Sequence, residues 1–466
     1  MNGARANGEG QTGDERTGEE RVGNPARVNL ERMLELGRRC TAWCDARPRL
    51  AWAAALSVVL LAVGWETATW PLHDYPGALW HQSPKGDDIE LGQANAARAG
   101  WPELLGFWRG RMLHGHGYFR PISSWLFVGE YRLFGTEDRL WSVFSILFHG
   151  AVALLLVWAL AGALPGSRAR RLSTGVLAAL LFGAPWLADR DVQKWVIGWW
   201  PAQPEALSLV FGLLLLGSVA RYIRSGDRRW AVAAPCCFFL AICTKEMGYV
   251  AGVGACLLLA RHPRRWGLLA GLAALGITHF AYRNAVLGDV ALHANGFRRE
   301  SLLQAPGMIL NQLATDCGGA WPHAALIGLG LGAGALARRP LTDRVPLAAV
   351  TYLALGFLLF GPPWDQLFQT GASRLLGLVG LVLVLAGLAR TVRRWPVAEW
   401  IGIYLAAYAT TAGFPPSFPW YRYWWTVFGA SVTAISLVSL WEWGLARLTS
   451  SGSHSGAEAN SVSLRD

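Results

Sequence analysis

The chain has 466 residues, of which 53% are hydrophobic, only 16% are charged and 25 are tryptophan, and its mean hydropathy is +0.28. A soluble domain carries about a quarter charged residues, so this composition excludes an ordinary soluble fold. The net charge of +11 does not call for nucleic acid, because the arginines stand in short clusters between apolar runs, the pattern of a polytopic membrane protein.

In chain order, residues 1–26, "MNGARANGEGQTGDERTGEERVGNPA", hold almost no large apolar side chains. They read as a disordered tail, unable to bury enough surface to fold. The stretch 27–49, "RVNLERMLELGRRCTAW" and its neighbours, suits a short amphipathic helix on a membrane surface. The first apolar run begins near Leu50, so no cleavable signal peptide is expected.

From there a transmembrane domain is expected over 50–447, in runs that reach the roughly 20 residues a span needs. Helices are predicted at about 50–70, 139–163, 172–188, 203–223, 230–244, 247–261, 266–286, 319–337, 345–361, 373–390, 396–413 and 424–446. The arginine clusters fall on every second connection: "RARR" at 168–171, "RYIRSGDRR" at 221–229, "RHPRR" at 261–265, "ARRPLTDR" at 337–344 and "ARTVRR" at 389–394. Lysine and arginine collect on the cytoplasmic side. Twelve helices with both termini inside satisfy all five clusters, and the polar stretch 448–466 is then a cytoplasmic tail.

The remaining connections face outward and differ in kind. The first, 71–138, holds "HDYPGALWHQSPKGDDIELG" and "HGHGYFRPISSW"; later ones hold "DRDVQKWVIGWW", "TKE", "YRNAVLGDV" and "PPWDQLFQTGASR". Trp and Tyr favour the membrane interface, which accounts for part of this enrichment. The three lysines of the chain, Lys85, Lys194 and Lys245, all lie in outward connections. A compact ammonium differs from a planar guanidinium as a binding group, so either a point charge is wanted on the outer face or three residues fall there by chance. Lys245 and Glu246 interrupt apolar chain on both sides. Either they form a plain hairpin tip, or the tip lines a cavity with the first loop.

The seven cysteines are scattered, and Cys40 and Cys44, one turn apart, are too few for a structural zinc site. His114 and His116 have a spacing that metal ligands also use. His149, in "FSILFHGAV", reads as a core histidine.

The ordered set "GDDIELG", "GYFRPISSWLFVGEYRLFGTEDRLWSVFSILFHGAVALLL", "VQKWVIG", "CTKEMGYV", "HFAYRNAVLG" and "QTGASRLLGL" resembles polyprenyl-phosphate-sugar-dependent GT-C glycosyltransferases. The likeness is to the membrane half of the tetratricopeptide-associated O-mannosyltransferase group and its bacterial relatives, over about residues 50 to 395. It implies an all-α GT-C-like fold of about twelve transmembrane helices, with short interfacial helices in the first loop. It implies a sugar moved from a polyprenyl-phosphate donor to a protein, glycan or lipid acceptor outside the plasma (inner) membrane. Three departures stand: an extra residue between Tyr118 and Arg120, Ala184 where the family has histidine in "GAPWLADRD", and a 448–466 stretch shorter than the 34-residue period of one tetratricopeptide repeat. The acceptor is therefore not carried over.

Such a transfer needs a carboxylate to take the acceptor proton and cations to stabilise the leaving phosphate. The resemblance assigns the base to Asp87, with Asp88 as its orienting neighbour or as a ligand for a divalent ion (Mg or Mn); Asp74 is the runner-up. Lys245, Arg283, Arg374 and Arg120 are the expected phosphate cations, although Arg120 before Pro121 can instead close a turn. Tyr118, Lys85 and Lys194 support the site, and Glu246 either holds Lys245 or contacts the acceptor. The competing reading is a secondary transporter or flippase, since twelve helices with inner termini also describe that class, whose sites lie near the bilayer midplane.

Overall fold

A computed structural model describes residues 25–64, 93–110, 118–183, 196–197, 202–260, 262–288, 399–404, 407, 423–424 and 426–442. Every regular element among them is a helix. The chain runs through α1 (Pro25–Ala46), α2 (Pro48–Val59, continued by a wider turn over Leu60–Gly64), α3 (Trp101–Gly106) and α4 (Pro121–Phe134). It continues through α5 (Asp138–Ala163), α6 (Arg168–Gly183), α7 (Gln203–Ser225), α8 (Arg228–Thr244), α9 (Gly248–Ala260) and α10 (Trp266–Leu287). A last helix, α11, covers Thr426–Glu442. The expected helices at 319–337, 345–361 and 373–390 lie outside the described residues.

Local chemistry sets most of these ends. Pro48 pushes Arg47 out of helical geometry (φ −127°, ψ 65°), because a residue before proline is barred from the α region. The segments Glu35–Ala46 and Pro48–Gly64 are consequently bent by 113°. Gly226 ends α7 at φ 70°, a left-handed cap that costs glycine nothing. Asp227 then caps α8, its carboxylate accepting from Arg229 N at 3.0 Å.

Two segments, Val143–Ala163 of α5 and Gln203–Ser225 of α7, are long and apolar enough to cross a membrane, and the bent pair makes a third if it counts as one span. The expected count of twelve is thus not reached among the described residues. Part of the reason is length: α9 has 13 residues, about 20 Å at 1.5 Å per residue, against a hydrocarbon core of about 30 Å. Leu61, Val232 and Ile277 are among the large apolar side chains that remain exposed.

α7 is the central helix, packed against α5, α8 and α9. Its buried positions include Leu209, Leu213, Leu216 and Val219. The arginine-rich connections that fall among the described residues gather at one end. Arg224 of α7 donates to Ala161 O of α5 at 3.2 Å, and Arg265 before α10 lies 4.5 Å from the centre of the Tyr222 ring of α7. The start of α7, the end of α8 and the end of α10 must then meet at the other end.

Candidate functional site

That opposite end carries a buried charge cluster, built on the turn between α8 and α9. Lys245 leaves the helix in extended conformation (φ −156°, ψ 150°). Gly248 N donates back to Lys245 O at 2.9 Å, closing the turn. The two helices touch at Gly248, where a Cβ would stand 2.5 Å from the carbonyl carbon of Ala241. Only a residue without a side chain permits that approach.

α4 crosses this turn. Its Ser123 hydroxyl donates to Thr244 O at 2.6 Å, satisfying one of the carbonyls that the end of α8 leaves open. Arg120, just ahead of Pro121, sends its guanidinium to Glu246 Oε2, at 2.9 Å from Nε and 2.5 Å from Nη2. It also lies 4.0 Å from the centre of the Tyr118 ring, a cation–π arrangement. Arg283, near the end of α10, reaches the other oxygen of Glu246 at 3.5 Å. Lys245 is ion-paired with Glu205 in the first turn of α7. Arg120, Lys245, Arg283 and Glu205 are all buried, Glu205 fully.

The electrostatics follow from this geometry. Burial would raise the Glu246 carboxyl, but the guanidiniums of Arg120 and Arg283 outweigh it and hold the group at about 2. Burial lowers Lys245, and Arg120 adds to that, while the Glu205 carboxylate opposes both. Among the described residues, three cations (Arg120, Lys245 and Arg283) gather about two carboxylates (Glu205 and Glu246).

The structure therefore brings together Arg120, Lys245, Arg283, Glu246 and Tyr118 of the residues singled out in the sequence. It changes two of their expected relations. Glu246 is held by Arg120 and Arg283, while Lys245 takes its carboxylate from Glu205. Arg120 does precede a helix start, yet its side chain serves the cluster. Asp87, Asp88, Asp74, Lys85, Lys194, Arg374, His114 and His116 lie outside the described residues. No group of three or more His, Cys, Asp or Glu fit to hold a metal occurs among the described residues.

The sequence reading missed Glu205 and His279. Glu205, in "PAQPEALSLV", looks like an ordinary acid in the first turn of a helix, favoured there by the helix dipole; only its burial gives it away. His279 lies one turn before Arg283 and is hydrogen-bonded through Nδ1 to the Tyr249 hydroxyl at 2.7 Å. His149 is fully buried, with Nδ1 2.8 Å from the Tyr423 hydroxyl, the placement of a core histidine. Compared with protein-family models, with characterised proteins and with solved structures, the chain has no match.

Proposed function

We propose that the chain is a GT-C type membrane glycosyltransferase of about twelve spans, with both termini cytoplasmic and its site on the external face of the plasma membrane. In this reading an acceptor hydroxyl attacks the anomeric carbon of a polyprenyl-phosphate-linked sugar. Asp87 accepts the hydroxyl proton, the new glycosidic bond forms with inversion, and the anomeric C–O bond breaks to release polyprenyl phosphate. Asp88 orients the base or holds a divalent cation. The observation that carries the proposal is the convergence of Arg120, Lys245 and Arg283 from three separate chain segments at the end of the bundle opposite the described arginine-rich connections.

The three cations have unequal duties in this scheme. Arg120 and Lys245 are tied to carboxylates, and they set the potential of the site. Arg283 holds Glu246 only at 3.5 Å, and its Nε has no hydrogen-bond partner among the described residues. It is the cation placed to turn toward a departing phosphate, which gains most from charge-assisted hydrogen bonds in a site that excludes water.

A second reading, a transporter or flippase of a lipid-linked or small anionic substrate, draws on the Lys245–Glu205 pair, since buried charge pairs in membrane proteins also mark substrate or proton pathways. The deciding experiment gives the purified protein, in detergent, a panel of polyprenyl-phosphate-linked sugars with hydroxyl-bearing acceptors, and follows transfer by mass spectrometry. Asp87→Asn should retain the fold and lose about 10²–10⁴ in rate. Undiminished transfer in Asp87→Asn, Asp88→Asn and Asp74→Asn alike would remove the base from this loop. Substrate movement across proteoliposomes without transfer would establish the second reading instead.

A further inference from the structure

Away from the charge cluster, α4 buries a second carboxyl. Glu130 is 1% exposed, and neither of its oxygens has a hydrogen-bond partner among the described residues. The side chain that acts on it is Gln203, the first residue of α7. Gln203 is fully buried as well. Its Nε2 donates to Trp141 O at 2.7 Å, which leaves Gln203 Oε1 without a donor. Two carboxyl oxygens and an amide oxygen are thus buried without a hydrogen bond among the described residues, and the Gln203 amide is the polar side chain that acts on Glu130.

A bare carboxylate in such a place is desolvated without compensation. A proton on Glu130 removes the charge and supplies the missing donor. It needs no space, whereas a water or a metal ion needs a cavity.

Glu130 belongs to a stripe with Arg120, Ser123 and Phe127, positions that fall on one face of a helix. Each member fastens α4 to the rest of the fold. Arg120 binds Glu246, Ser123 binds Thr244 O, Phe127 is buried with Leu104 and Trp141, and Glu130 meets Gln203. We propose that Glu130 is a proton-binding site that fastens α4 to the start of α7: the neutral acid donates its O–H to Gln203 Oε1, and loss of the proton to solvent loosens the stripe that carries Arg120 into the charge cluster.

Burial pushes the Glu130 carboxyl up to about 8, with the Gln203 amide pulling the other way. Several charged groups on the neighbouring elements are engaged elsewhere. Glu103 of α3 accepts from Gly100 N, Arg132 of α4 donates to Ala99 O, and Lys245 at the end of α8 pairs with Glu205 of α7. His149 of α5 is bonded to Tyr423, and Asp227, Arg228 and Arg229 stand at the opposite end of α8. The side chains of Asp138 and Arg139 at the start of α5 lie outside the described residues.

The test uses the full chain in detergent or nanodiscs, as wild type and as Glu130→Gln, whose amide can donate to Gln203 Oε1 at any pH. Infrared difference spectra between the two should show a protonated carboxyl at about pH 6.5 that is gone by about pH 9.5. Over the same range, hydrogen exchange of 121–134, corrected for the intrinsic base-catalysed rate, should rise about tenfold or more in the wild type and stay level in Glu130→Gln. Absence of the carboxyl signal at the lower pH, or an equal rise in both proteins, would overturn the proposal. If Glu130→Gln does not fold, the wild type still decides, because level exchange across the range is then the overturning result.

Discussion

The ammonium of Lys245 is ion-paired with the carboxylate of Glu205, at a place where Lys245 is 4% exposed and Glu205 is not exposed at all. Removing one member of such a pair leaves an uncompensated buried charge, at a cost of about 3–5 kcal/mol. Removing both leaves none. Glu205→Gln and Lys245→Met should therefore each lower the unfolding temperature in detergent markedly, while the double variant recovers much of the loss. Singles that simply add up in the double variant would mean that the two groups do not compensate each other.

Glu246 gives a pH dependence of definite sign. Its carboxyl is held at about 2, below its ordinary value of 4.5, against the burial that would raise it, by Arg120 and Arg283. A depressed carboxylate contributes stability that is fully present above its unfolded value and is lost as pH falls through the folded one. The wild type should lose stability as pH falls from about 4.5 toward 2, by at most a few kcal/mol, and Glu246→Gln should lose less across that window. Equal acid sensitivity of the two proteins in thermal scans would count against the Arg120–Glu246–Arg283 arrangement.

Gly248 and Gly267 offer a matched pair. A Cβ at Gly248 would press on the Ala241 backbone at 2.5 Å, whereas one at Gly267 meets nothing within 4 Å. Gly248→Ala should destabilise by about 1–3 kcal/mol, the range of overpacked cores, and part the turn that presents Lys245 and Glu246. Gly267→Ala, early in α10, should be neutral or slightly stabilising, by up to about 1 kcal/mol. Denaturant midpoints in mixed micelles read both; a Gly248→Ala variant as stable as the wild type would show that α8 and α9 do not touch there.

Topology is the prediction on which the enzymatic reading depends. Reporters fused after Arg171, Arg229, Arg265 and Arg394 should read cytoplasmic, and reporters near Asp87 or Asp365 should read external. A cytoplasmic result at Asp87 ends the proposed external transfer, since its base would face the wrong compartment.

Much of this molecule is written in local sequence. The helices expected at 139–163, 203–223, 230–244, 247–261 and 266–286 appear as α5, α7, α8, α9 and α10 with ends shifted by one or two residues. Apolar runs, arginine clusters and glycine or proline breaks act within a few residues of where they stand, so they are readable without the fold. The "TKE" turn was legible for the same reason, as the polar interruption between two apolar runs.

What the sequence did not contain was the partner of each charge. Lys245 and Glu246 are neighbours in the chain, yet their side chains part: Lys245 turns to Glu205, and Glu246 to Arg120 and Arg283. Composition and periodicity set where a helix begins and which end of the bundle it reaches. They do not set which helices lie side by side. That choice is made by lateral packing, by contacts such as Gly248 on Ala241 and Ser123 on Thr244. For this reason Glu205 reads as an ordinary helix-start acid in the sequence and becomes a buried counter-ion only when α7 and α8 pack together.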